Sequence, residues 1–384
     1  MNYRKLGSTG LMVSEIGLGG EWLERHTTQE VKEVVAYCEQ AGINILDCWM
    51  PAPKIRSDLG AAIAGHREKW IIQGHLGSTY QNGQYVRTQD LTASKIAFAD
   101  LLERFQTDYI DLGMLHYIDS LDVLNTVLNG EFYNWAQELK AAGTIRHIGL
   151  STHNPAVAIA AAESGKIEMM LYSVNPAYDI MNTSQTADDY YEPTFFNKGM
   201  DGMDPLRARV YQTCVAHDVG ITVMKTYAGG RLFTKEASPF GIAMTPVQCI
   251  HYALTRPAVA SVMIGYDTPE HVADALAYET ATIEQKDYAS VLAAAPHHPY
   301  SGACTYCGHC QPCPAGIDIA MVGKLYDLAT MQPEVPESVR SHYLALQHTA
   351  ADCIGCGGCE QRCPFHVPVR ERMKAAAVLL DENK

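Results

Sequence analysis

From Glu15 to about Leu276, short apolar runs alternate with longer amphipathic segments, the rhythm of repeated strand-then-helix units. Strands are expected near Glu15–Gly19, Ile43–Asp47, Trp70–Gly74, Tyr109–His116, His147–Ser151, Met169–Asn175, Gly220–Lys225 and Ser261–Gly265. Most are followed by a helical period: Gln29–Gln40, Leu59–Ala64, Asp90–Phe105, Trp135–Ala142, Pro155–Ser164, Leu206–Ala216, Pro246–Leu254 and Pro269–Leu276. Eight such units predict an α/β fold, a closed (β/α)8 TIM barrel, whose catalytic groups project from strand C-termini and the loops beyond them. An open doubly wound sheet is the competing arrangement. It normally shows a Gly-x-Gly-x-x-Gly turn after its first strand, and Gly17-Leu18-Gly19-Gly20-Glu21 lacks that spacing. Tyr3–Val13, with Gly7-Ser8-Thr9-Gly10 between apolar stretches, reads as a hairpin capping the barrel floor.

The pattern changes twice. Residues 176–206 form a long connection with six acids against one Lys, and its aromatic residues favour an ordered lid or docking loop over a floppy insertion. Near residues 293–299 the barrel pattern stops, giving two expected domains, 1–295 and 296–384. In the second, Ile317–Ala329 and Ser338–Ala350 read as helices, so a small, mainly helical module is expected.

The hydrophobic content of 47% and charged content of 19% are those of an ordinary soluble protein. Net charge is −14, of which residues 297–384 account for −2, and no basic surface suited to nucleic acid is evident. The long uncharged stretches Ala237–Thr255 and Tyr288–Ile317 are broken by prolines and polar residues, so neither reads as a membrane span.

Eight of twelve cysteines lie in two runs: Cys304, Cys307, Cys310, Cys313-Pro314 and Cys353, Cys356, Cys359, Cys363-Pro364. A Cys-x-x-Cys-x-x-Cys turn wraps three thiolates around one iron-sulfur cube, and the Cys before Pro closes the other cube in two-cluster ferredoxins. Two [4Fe-4S] clusters are therefore expected in a ferredoxin-like domain. One would be held by Cys304, Cys307, Cys310 and Cys363, the other by Cys353, Cys356, Cys359 and Cys313. Zinc remains the alternative, although a zinc site usually takes two separated Cys-x-x-Cys pairs. Disulfides fit poorly, because the first residues do not resemble an export signal and a cytoplasmic location is expected. Cys38, Cys48, Cys214 and Cys249, in apolar stretches, read as packed thiols.

A series of segments carries a resemblance: Tyr3-Arg4-Lys5-Leu6-Gly7-Ser8-Thr9-Gly10-Leu11, Ala41–Asp47, Asp108–Leu112 through His116, Gly143–Ser151, and Asn175-Pro176. In order and spacing they resemble the aldo-keto reductase superfamily, in particular its bacterial branch with a C-terminal ferredoxin-like domain. The resemblance implies a nicotinamide cofactor, a carbonyl substrate and an Asp, Tyr, Lys, His tetrad, with Tyr as proton donor and Lys lowering its pKa. Asp47 and His116 match, but the Tyr position is Ala52 and the Lys position is His75. His75 and His116 are expected to face one mouth beside Asp47, as an acid-base pair. Lys225, at the end of strand seven, is expected to point into the mouth and contact substrate or cofactor, as a replacement cation or a hold on an acidic substrate, with a structural ion pair to Asp47 as the alternative; Arg56 and Arg87 read as solvated charges.

The resemblance also implies cofactor contacts from Ser151, Asn154 and Gly265, the last opening the run that would hold an NADP 2′-phosphate. That run, Gly265-Tyr266-Asp267-Thr268-Pro269-Glu270-His271, lacks the family's cations, so NADP is expected to bind poorly unless His271 or Arg231 compensates. NAD(P)H and a flavin remain candidates for the barrel. Clusters pass single electrons and nicotinamide passes hydride, so the domains need a converter such as a flavin or a substrate radical. The expected function is an oxidoreductase whose clusters exchange electrons with a small-molecule substrate or second cofactor at the mouth, with a redox protein as candidate partner and a low-oxygen setting. The alternatives are a nicotinamide-dependent carbonyl reductase with structural or sensory clusters, and a non-catalytic electron-transfer module.

Overall fold

Eight parallel strands close into a barrel in the computed structural model of the chain, which describes residues 1–180, 204–296, 300–330 and 334–381. In chain order the strands are β1 (Tyr3–Lys5), β2 (Met12–Ser14), β3 (Ile16–Gly19), β4 (Ile45–Cys48), β5 (Ile71–Leu76), β6 (Ser78–Gln81), β7 (Gln84–Arg87), β8 (Ile110–Leu115), β9 (Ile145–Thr152), β10 (Met169–Ser173), β11 (Gly220–Met224) and β12 (Val259–Gly265). The barrel runs β3-β4-β5-β8-β9-β10-β11-β12 and closes by pairing β12 with β3. All eight expected strands are present.

The floor is covered as anticipated, by the antiparallel pair β1 and β2. Gly7, at φ +49°, lies against the start of β11, where a Cβ would come within 2.2 Å of the Gly220 nitrogen. Only glycine combines that backbone angle with that approach. Above the floor, Leu6, Val13, Ile45, Leu112, Met114, Met169 and Leu171 fill the lower interior, while a larger apolar core lies between strands and outer helices. The interior turns polar toward the strand C-termini, at Gln73 and Thr222.

Several elements differ from expectation: the helix expected over Ser338–Ala350 stops at Leu344, and that expected from Trp135 begins at Glu131. The second helix begins at Pro53, whose fixed φ suits a first helical turn, not at Leu59. A helix at Leu121–Leu128 and the hairpin β6–β7 were not foreseen. The hairpin turns at Asn82-Gly83, both at positive φ, the residue pair such turns favour. Arg56 is not a solvated charge. It is 1% exposed and donates to the carbonyls of Met50 and Ala97 and to Asp100, tying loop to helix.

Beyond the helix Tyr288–Ala293, the second region is helical in its described residues, with helices at Ile319–Thr330, Glu337–Leu344, Gly358–Arg362 and Val369–Asp381. It packs on the barrel's flank. Tyr300 donates to the Pro176 carbonyl, and Arg256 and Tyr288 both donate to the Thr305 carbonyl. Behind this seam Asp179, fully buried, accepts from Arg207 (2.9 Å), Tyr211 (2.8 Å) and Tyr252 (2.9 Å). Most of the connection expected to act as a lid lies outside the described residues. No helix among the described residues is long and apolar enough to cross a membrane.

Candidate active site and thiol cavities

The strand C-termini open into a cavity of about 1070 Å3, lined by Asp47, His75, Tyr85, His116, Ser151, Lys225 and Gly265 among others. Asp47 stands on β4, His75 on β5 and His116 just past β8, so barrel closure brings together residues far apart in sequence. His75 Nε2 lies 3.0 Å from Asp47 Oδ1, and the two histidines meet Nδ1 to Nδ1 at 2.7 Å. His116 Nε2 in turn lies 2.7 Å from the Tyr85 hydroxyl, on β7. On the inner side Gln73 donates to Asp47 Oδ1 at 2.8 Å and accepts from Thr222 at 2.8 Å, which fixes the amide's orientation.

This chain runs from inside to outside. Asp47, His75 and His116 are 4%, 2% and 7% exposed, whereas Tyr85 is 40% exposed. Burial, with the positive charge available on His75, His153 and Arg87, pulls the His116 pKa well below its ordinary value, so the ring is neutral. Burial pushes the Tyr85 hydroxyl up to about 12. Trp49 stacks on His116 (centroids 6.1 Å, 9° apart) and meets Tyr85 edge-on at 5.1 Å, giving this wall an aromatic face. Tyr85 was missed by sequence reasoning, although Asn82-Gly83 between two short strand-like runs is a hairpin signal that leads to it.

The other expected barrel residues separate. Lys225 lines the cavity at φ +63°, its carbonyl held by Asn175. Ser151 lines it too, and its hydroxyl accepts from the Tyr117 amide at 2.7 Å. Asn154 does not line the cavity; its side chain caps the helix Pro155–Glu163 by accepting from Ala156 and Val157 amides. The residue that reaches the cavity there is His153, backed by Asp119 at 3.1 Å. Gly265 abuts Trp22, where a Cβ would fall 2.1 Å from the indole. Thr226 and Tyr266 are buried in the cavity wall, and among the described residues their hydroxyls have no hydrogen-bond partner.

At the rim, Asp267 is gripped by Arg25 (2.5 Å) and His26 (3.0 Å), and the Arg25 hydrogen bonds hold its carboxyl below the ordinary range. Arg25 also lies over the Trp22 ring at 4.5 Å. This cation was not foreseen, and it is already paired with a carboxylate. The rim therefore does not fit an NADP 2′-phosphate, which calls for unpaired cations.

The thiols form two cavities. Cys304, Cys307, Cys310 and Cys363 line one, and Cys313, Cys353, Cys356 and Cys359 line the other. Ile319 and Met373 line both, an apolar wall shared by the two. Four thiols around an apolar cavity are the donor set of a four-iron cluster, one thiol to each iron. Among the described residues no three His, Cys, Asp or Glu side chains are close enough to share a single metal ion, the arrangement zinc would take. Neither cavity shares a lining residue with the barrel mouth. The other four cysteines are fully buried, and burial raises all their pKa values, that of Cys48 to about 12.

Residues 15–246 match the model of the aldo/keto reductase family, more than half of the chain. The chain belongs to the aldo/keto reductase family. Residues 303–367 of this aldo/keto reductase match a 4Fe-4S dicluster domain. The uncharacterized oxidoreductase YqkF of Bacillus subtilis is 30% identical over 161 residues, covering 41% of this chain and 51% of that protein. The aldo-keto reductase YhdN of the same organism is 27% identical over 191 residues, covering 47% and 54%. The chain thus spans about half the length of the curated relatives it matches. The holo form of aldo-keto reductase AKR11C1 from Bacillus halodurans shares the fold, with a TM-score of 0.60 at 22% identity over 74% of this chain and 94% of that one. The chain thus joins an aldo/keto reductase barrel to a C-terminal 4Fe-4S dicluster domain.

Proposed function

We propose that this aldo/keto reductase, divided near residue 295, moves protons at the barrel mouth through Asp47, His75 and His116, with Lys225 facing the substrate. Its eight motif cysteines hold two [4Fe-4S] clusters, in the crossed grouping of three thiols from one run and one from the other. The observation that carries the reading is the hydrogen-bonded chain from Asp47 through His75 to His116 in a cavity of substrate size. The family's Tyr and Lys positions hold Ala52 and His75, so acid-base work falls to imidazoles. When bound, the clusters supply one-electron transfer. The chain's own residues supply thiolate ligands, an apolar shell and, at the mouth, proton donors and acceptors.

Substrate oxygen would lie near the His116 end, with Ser151 offering a hydroxyl to the rest of the ligand. A nicotinamide cofactor would be NAD in preference to NADP, because Asp267 stands at the rim with Arg25 already bound to it. A redox partner protein and a reducing cytoplasm suit the thiol-rich module. One observation favours the second reading, a nicotinamide-dependent carbonyl reductase with structural clusters: the thiol cavities and the mouth have no residue in common.

Anaerobically purified protein, assayed for iron, acid-labile sulfide and flavin and then titrated with NADH, NADPH and a low-potential donor, separates the two. Cluster reduction linked to substrate turnover supports the first reading. Turnover with NADH while the clusters stay oxidised supports the second.

A further inference from the structure

The polarity of the hydrogen bonds at the mouth follows from chemistry alone. As a carboxylate, Asp47 can only accept, so His75 Nε2 carries a hydrogen. A neutral His75 then presents a bare Nδ1, which accepts from His116 Nδ1–H. His116 is left bare at Nε2, and there it accepts the Tyr85 hydroxyl hydrogen. Every bond points inward, from the mouth to the buried carboxylate. With one more proton on His75, the ring becomes an imidazolium beside Asp47 and both its nitrogens donate. His116 must then accept at Nδ1 and carry its hydrogen on Nε2, pointing at Tyr85 oxygen, and the Tyr85 hydrogen is released toward the cavity.

We propose that Tyr85, His116 and His75 form a two-state proton wire in which Tyr85 is the catalytic residue touching substrate oxygen and His75, held by Asp47, stores the proton. This rests on the reading of the mouth as the reaction site. In the inward state a substrate O–H breaks and its proton goes to Tyr85 oxygen. The Tyr85 proton passes to His116 Nε2, and the His116 Nδ1 proton passes to His75 Nδ1. The electron pair of the broken bond stays on the substrate oxygen, and the new positive charge rests on His75 beside Asp47, so charge balances. The outward state runs the same shifts in reverse and protonates an alkoxide or a carbonyl oxygen. The ligand class is a small molecule with a hydroxyl or carbonyl beside an apolar, flat portion that fits the Trp49 wall.

Several charged or titratable groups surround the wire: Asp47 on β4, Tyr85 and Arg87 on the β6–β7 hairpin, Tyr117 after β8 and His153 after β9. Lys225, at the end of β11, shares the cavity. Histidine-selective 15N NMR on the cluster-loaded protein tests the wire without any substrate. When acid adds a proton to the wire, one histidine ring should gain a second N–H while His116 switches from Nδ1–H to Nε2–H and stays neutral, both in a single step. A His116 ring that keeps one tautomer throughout, or that titrates separately, overturns the wire. Tyr85→Phe should leave the hydrogen bond between the two histidines in place and lower turnover about 10²-fold or more; unchanged turnover overturns the role of Tyr85. Absence of any turnover in the native protein would count against the mouth as reaction site, while the NMR result would still decide the wire.

Discussion

Each thiol cavity draws three of its four cysteines from one seven-residue segment, whereas Asp47, His75, Tyr85 and His116 come from four separate elements of the barrel. The first kind of site is set by spacing along the chain, because a Cys-x-x-Cys-x-x-Cys turn can wrap a cluster with little help from the rest of the fold. The second exists only when eight strands have closed in register. Damage should therefore spread differently in the two. The fourth thiol offers the sharpest break, since it crosses between runs. Cys363→Ser should remove the cluster otherwise held by Cys304, Cys307 and Cys310, lowering iron from about eight to about four per chain. Electron paramagnetic resonance of the reduced protein should lose one of two signals. Loss of the cluster held by Cys353, Cys356 and Cys359 instead would mean the grouping is uncrossed.

At the mouth, His116→Ala cuts the chain in its middle and should lower turnover by about 10²- to 10⁴-fold. Absorbance of the clusters should be unchanged. A variant that lost cluster absorbance as well would show the two sites to be less independent than their separate linings indicate.

The seam between the regions is the third place to press. Arg207 and Asp179 are both fully buried, and Tyr211 and Tyr252 complete the carboxylate's shell. Arg207→Met leaves a buried carboxylate without its cation and should cost about 3–5 kcal/mol in denaturant melts. The loss should appear in the barrel transition, while the iron content of protein kept folded stays intact.

This contrast also explains what was legible in the sequence. The eight strands could be read because each is a short apolar run with a helix after it, and barrel closure requires no further information. That three thiols of each run line one cavity could be read because it is encoded in spacing. Asp47, His75 and His116 could be placed at one mouth, since strand ends converge there. Their hydrogen-bond order could not, because it depends on rotamers and on a hairpin inserted after β5. Asn154 illustrates the limit in the other direction: Asn before Pro at a helix start is a strong capping signal, and capping is what its side chain does. Arg25 escaped notice because its partner Asp267 is at the far end of the barrel sequence, 242 residues away. Arg56 was misread for the same reason, as its burial arises from carbonyls supplied by other elements.

The smallest expected effect comes from the barrel floor, where chemistry should be absent. Glu168 precedes β10 and accepts from His147 (2.7 Å), Lys140 and the Ile148 amide. Burial alone would raise its pKa, but these hydrogen bonds outweigh it and hold the carboxyl down at about 2, against an ordinary 4.5. A carboxyl depressed in the folded state stabilises the fold above its unfolded pKa, and that stabilisation fades as pH falls from about 4.5 toward 2. The side chain is partly exposed, so solvent screening holds the contribution to about 1 kcal/mol. Glu168→Gln should therefore flatten this part of the acid-denaturation curve and lower stability at pH 7 by about that amount. Turnover per folded molecule should not change, because catalytic groups of such barrels stand at the opposite end of the strands. A change in turnover with the fold intact would mean that floor and mouth are coupled through the methionine-filled interior, and the division between a stabilising floor and a reactive mouth would have to be given up.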